Sequence, residues 1–89
     1  MVTVKRIVLD VLKPHQPNAL EFSQAIAAAG EDYHVRLTVI EVDENTETLQ
    51  VVVEGESINF EIVQSTISNM GGSVHSIDEV DVQSTADAG

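Results

Sequence analysis

Aliphatic residues recur along this chain first in a near-continuous run, then at helical spacing, then in alternation. From Thr3 to about Leu12 the run is densest: Ile7 to Lys13 holds five aliphatic side chains and one carboxylate, Asp10. Such a stretch predicts a strand buried on both faces, at the centre of a sheet. Pro14, which donates no ladder hydrogen bond, ends it. Pro17 and Asn18 then open a helix in which Phe22, Ile26 and Ala29 recur at helical spacing. Gly30 stands where a left-handed residue would close that helix. From His34 the period becomes two, with Val35, Leu37 and Val39 on one face and Arg36, Thr38, Ile40 and Val42 on the other. The polar turn Asp43–Thr46 leads to Leu49, Val51 and Val53, which complete a hairpin.

Gly55–Ser57 breaks the second hairpin strand, and Asn59 caps a second helix, with Ile58 and Val63 as a hydrophobic staple. The stripe Phe60, Val63, Ile67, Met70 stops at Gly71–Gly72. A last strand starts near Ser73. Its Val74, Ile77 and Val80 cannot share one face under strict alternation, which predicts a bulge between Ser76 and Asp78. Residues 1–83 form one domain, and 84–89 read as a small, polar, flexible tail.

The order βαββαβ predicts an α+β, ferredoxin-like sandwich with two helices on one face of a four-stranded, antiparallel-containing sheet. Right-handed crossovers are expected to set the first and third strands parallel at the centre, with the fourth antiparallel beside the first. The core expected is Ile7, Leu9, Val11, Phe22, Ile26, Leu37, Val39, Leu49, Val51, Val63 and Ile67. The open face would carry Val4, Val8, Leu12, Thr38, Ile40, Val42 and Val52. That is too apolar for a lone chain and predicts a homo-oligomer joined through the open sheet face.

Charge narrows the function classes. Fifteen acidic residues stand against four basic ones, giving −11. Nucleic acid and anionic membranes are disfavoured as partners, since both are bound through lysine and arginine. The excess fits a solvated surface in a salt-rich cytoplasm, or the binding of a cation or a basic partner. There is no cysteine, hence no disulfide framework or thiolate site. Met1-Val2-Thr3-Val4 leads directly into Lys5 and Arg6, unlike a signal peptide, and no apolar run approaches a membrane span. A cytoplasmic location is expected.

Two groups of residues have the chemistry of a cation site. His75, Asp78 and Glu79 are the compact mixed cluster, and Asp10 joins them if the fourth strand lies beside the first. The plainer alternative is a hydrogen bond between Asp10 and His75. The turn residues Asp43, Glu44 and Glu47 are a weaker alternative for calcium or magnesium, without the spacing of a calcium-binding hand. His15 is expected to cap or pack its loop, and His34 to be exposed. No nucleophile elbow, phosphate-cradling loop or metalloprotease pair is present. Gly71–Gly72 leaves a helix rather than opening one.

Several segments together resemble one family. They are Arg6 to His15, Ile40 to Asp43, Val53 to Gly55, Gly71–Gly72 and His75 to Val80. Over about residues 3–82 they look like the archaeal domain-of-unknown-function family 211. The resemblance implies a ferredoxin-like fold, homo-oligomeric assembly and an archaeal cytoplasm, and the acidity fits a haloarchaeal member. It brings no established activity, so no catalytic residue is carried over. The expectation is a non-enzymatic homo-oligomer that binds a divalent cation or small ligand. The alternatives are a small-molecule sensor with its ligand at the subunit interface, and an enzyme whose site, His75 with Asp10 or Asp78, is completed between subunits.

Overall fold

Six elements follow one another: β1 (Val2–Pro14), α1 (Ala19–Ala27), β2 (His34–Val42), β3 (Thr46–Glu54), α2 (Phe60–Asn69) and β4 (Ser73–Ser84). They are seen in a computed structural model that describes residues 1–86. The sheet order is β2-β3-β1-β4, the ferredoxin-like arrangement, and every neighbouring pair is antiparallel. The expected parallel pairing of the first and third strands is therefore wrong. The reason is topological. The α1 crossover makes β1 and β2 parallel, and the hairpin then reverses β3 before it inserts between them. The parallel partners of each βαβ unit never touch.

Both helices start on the side chains that the sequence offers. Asn18 accepts from the N–H of Glu21 at 2.8 Å, and Asn59 from the N–H of Ile62 at 3.2 Å, each satisfying one orphan donor of a first turn. Pro17 lies just before the first cap rather than inside the helix. The α2 helix ends at Gly71, φ +83°, with Gly71 N–H on Ser68 O and Gly72 N–H on Ile67 O, both 3.0 Å. These two bonds around a left-handed residue make a Schellman closure. Gly30 does not close α1 in this way, since Gly71 alone has a positive φ among the described residues. A Cβ on Gly30 would sit 2.3 Å from the Tyr33 ring, so this glycine makes room for the ring.

Ile7, Leu9 and Val11 of β1, Leu49, Val51 and Val53 of β3, and Phe22, Ile26, Ile58, Val63 and Ile67 beneath the helices form the buried core. Leu37 is only partly buried against it, and Val39 is 40% exposed. Both sit on β2, an edge strand.

Bulges change which residues share a face. Along β1 and β4 the partner of Val8 is Glu79 and that of Leu9 is Ile77, so Asp78 is the extra residue, within the predicted interval. A second bulge leaves out His75, between the pairs Asp10–Ser76 and Val11–Val74, and a third leaves out Lys5 of β1. The Lys5 bulge turns Val4 towards the helices, where it packs on the core. On β2 a shift at Ile40 puts Val42 opposite Glu47, on the helix side. Two of the aliphatics expected on the open face thus leave it. Val8 and Val52, which remain, are 5% and 8% exposed, and Arg6 lies beside them with Glu54 and Glu79 as partners. Ser84 ends β4 and the Thr85 N–H donates to Met1 O, so the expected flexible tail from 84 begins as paired backbone; residues 87–89 lie outside the described residues.

Candidate functional site

Asp10 lies in the middle of β1, between Gln50 of β3 and Ser76 of β4, and is half-buried. The His75 bulge explains why Ser76, not His75, lies across from it. No hydrogen bond joins Asp10 to His75 among the described residues. The other members of the expected cluster have partners of their own. Asp78 accepts from the Ser76 hydroxyl at 2.7 Å, and the Glu79 carboxylate pairs with the Arg6 guanidinium. His75 is exposed. Among the described residues, no group of three or more His, Asp or Glu side chains gathers closely enough to hold a metal ion.

The Asp43–Glu47 turn is organised around a cation of the chain itself. Lys13 follows Ile7, Leu9 and Val11 on the core side of β1 and is fully buried. Its Nζ donates to Pro14 O at 2.9 Å, Pro17 O at 2.8 Å and His15 O at 3.4 Å, and pairs with Glu47 Oε1 at 3.0 Å. The ammonium also stands 5.9 Å from the Phe22 ring centroid. The other oxygen of Glu47 meets His15 Nδ1 at 3.0 Å, and His15 Nε2 meets Glu44 O at 2.9 Å. Both ring nitrogens therefore face acceptors, and only the imidazolium can donate to both.

Hydrogen bonding to Glu47, then to the Glu44 carbonyl, raises the His15 pKa above its ordinary value. The His15 and Lys13 hydrogen bonds lower that of Glu47. The network ties the loop after β1 to the β2–β3 turn. His15 holds its loop as expected, and Glu47, expected as a ligand of a free cation, instead holds Lys13, which no motif marks. The signal was there: alternation from Ile7 puts Lys13 on the core face, and the pairing of Val11 with Leu49 brings Glu47 across from it.

Open hollows lie on the surface of the described residues. One of about 440 Å³ lies among Gly30, Asp32, Tyr33, Glu56 and Ser57, where Asp32 already accepts from the Glu56 N–H at 3.0 Å. Another, about 300 Å³, runs along α2 from Asn59 to Asn69. Carboxylates and hydroxyls line both, Glu61 with Ser65 and Thr66 in the smaller and Glu56 with Ser57 in the larger, and no hydrogen bond joins a carboxylate to a hydroxyl in either among the described residues.

A profile of the domain-of-unknown-function family 211, described as "Uncharacterized ArCR", matches residues 5–85, nearly the whole chain. The chain belongs to family 211. An uncharacterized protein of Methanocaldococcus jannaschii, an archaeal relative, is 40% identical over 77 residues, covering 86% of this chain and 79% of that one. The match runs through every element, from the Lys5 bulge of β1 to the end of β4. Membership in family 211 fixes no activity.

Proposed function

We propose that this protein is a non-enzymatic, self-associating component of a salt-rich archaeal cytoplasm, the finer placement being haloarchaeal. The observation that carries self-association is the set of aliphatic side chains left uncovered. Val39, Ile40, Val42, Ile77, Val80 and Val82 are 40% to 64% exposed, although all lie in strands. Isolated exposed aliphatics are ordinary, but such groups along two strands mark a surface that another protein covers. A non-catalytic role is supported by the use made of the ionisable groups that lie below the surface. Lys13 and Glu47 are both held in contacts that brace the fold. No described helix is long and apolar enough to cross a membrane.

Light scattering in molar potassium chloride tests the proposal. A mass well above 9.6 kDa is expected. A monomer at micromolar concentration would overturn it.

Binding of a divalent cation or small ligand is a second reading. It is favoured by Asp10, a half-buried carboxylate without a hydrogen-bond partner among the described residues. Calorimetry with calcium, magnesium and zinc is expected to show heats that Asp10→Asn abolishes. Identical heats for both proteins would place any binding elsewhere.

A further inference from the structure

The sheet has two edges, β2 and β4, and the exposed aliphatics line both. An edge strand presents unpaired N–H and C=O groups and pairs with another chain unless something blocks it. Neither edge contains proline, and β4 runs for 12 residues. Two backbone bonds fix which groups point outwards. Asp43 N–H donates to Thr46 O at the β2–β3 turn, and Thr85 N–H to Met1 O at the end of the β1–β4 ladder. Counting in twos from Thr46 along β3, and from Thr85 back along β4, gives the residues that bond inwards. The remainder, Val35 and Leu37 on β2 with Val80 and Val82 on β4, turn their N–H and C=O away from the sheet.

One antiparallel register joins these edges between two copies. With Arg36 opposite Asp81, Val35 meets Val82 and Leu37 meets Val80 as hydrogen-bonded pairs, and Val39 reaches Ile77 past the Asp78 bulge. Arg36 and Asp81 both lie on the open face, across from Val52 and Arg6. Charge selects the same register. Arg36 is the one cation of the lysines and arginines with no ion pair among the described residues, and Asp81 has no partner either. β2 and β4 are antiparallel within one sheet, so a second copy in the same orientation presents β2 correctly to β4.

We propose that copies of this chain join head to tail, the β2 edge of one on the β4 edge of the next, with Arg36 paired to Asp81. This rests on the self-association proposed above and names its surface. The contact is heterologous, so repetition gives a ring or a filament rather than a two-fold dimer.

Light scattering and circular dichroism on five samples, the wild type among them, test it. Arg36→Asp alone and Asp81→Arg alone place like charges across the joint, and each should fall towards 9.6 kDa while remaining folded. Mixed in equal amounts they should regain assembled mass, since alternating copies pair opposite charges at their joints. Val80→Pro removes an outward N–H that the lone chain does not use, so it should keep the fold and lose the assembly. If the wild type is itself a monomer, self-association fails. If the wild type assembles and all the variants assemble equally, self-association stands and edge pairing is overturned.

Discussion

A buried ammonium is costly unless it is fully partnered, and Lys13 meets that condition with three carbonyls and one carboxylate. The coupling of Glu47 to both Lys13 and His15 makes the loop contact sensitive to pH in two directions. His15 has its pKa raised above 6.5, so its contribution is whole below that value and is lost as pH rises through the folded pKa. Glu47 has its pKa lowered below 4.5, so its contribution is whole above that value and is lost as pH falls through the folded pKa. Denaturant midpoints of the wild type and His15→Gln should therefore differ most between pH 4.5 and 6.5 and converge on either side. A gap that stays unchanged well below pH 4.5 and well above pH 6.5 would mean that His15 acts by packing alone. Individual residues were the least legible scale in the sequence. Lys13 carries no motif and shows its role only once its face parity is worked out, and the expected Asp10–His75 contact fails because His75 is itself the bulged residue.

Elements were read more securely, because periodicity averages over many side chains. The two asparagine caps, the hairpin, the staple residues Ile58 and Val63 in the core, and the bulge at Asp78 all follow from local pattern. What local pattern does not contain is the partner's phase. The bulges at Lys5, Ile40 and His75 decide faces by how two strands meet, so Val4 and Val42 lie on the opposite side from the one that alternation predicts. Glycine chemistry divides likewise: Gly71 serves the backbone and Gly30 serves a ring. Gly71→Ala should cost about 1–2 kcal/mol, from the left-handed backbone, with the new Cβ 3.3 Å from Pro14 Cγ. Chemical denaturation would show it, and an unchanged midpoint would mean that the turn relaxes without cost.

At the scale of the whole molecule, charge opposes what the apolar edges favour. Four cations share 15 acids, one cation is buried, and the longest dimension is 55 Å. Like charges spread over so elongated a body repel through solvent, and at molar salt the screening length is only about 3 Å. Melting temperature and assembled mass should both rise from low to molar potassium chloride. An unchanged melting midpoint would show that the Arg6, Lys5 and His34 contacts with Glu54, Glu56 and Glu79 already balance the surface. The sandwich itself was legible at this scale, apart from the direction of its central pair. Element order names the fold, but the relative direction of β1 and β3 depends on which strands become neighbours.

The space that Gly30 leaves has an optical consequence. The chain has no tryptophan and a single tyrosine. That tyrosine, Tyr33, is partly buried over the glycine, and its hydroxyl accepts the Asn59 N–H at 2.8 Å, where α2 begins. Tyrosine emission from the intact protein thus comes from one known place, the junction between the α1–β2 loop and the foot of α2. It reports when that junction opens without labels or engineered chromophores, and it leaves both sheet edges and the Lys13 network untouched.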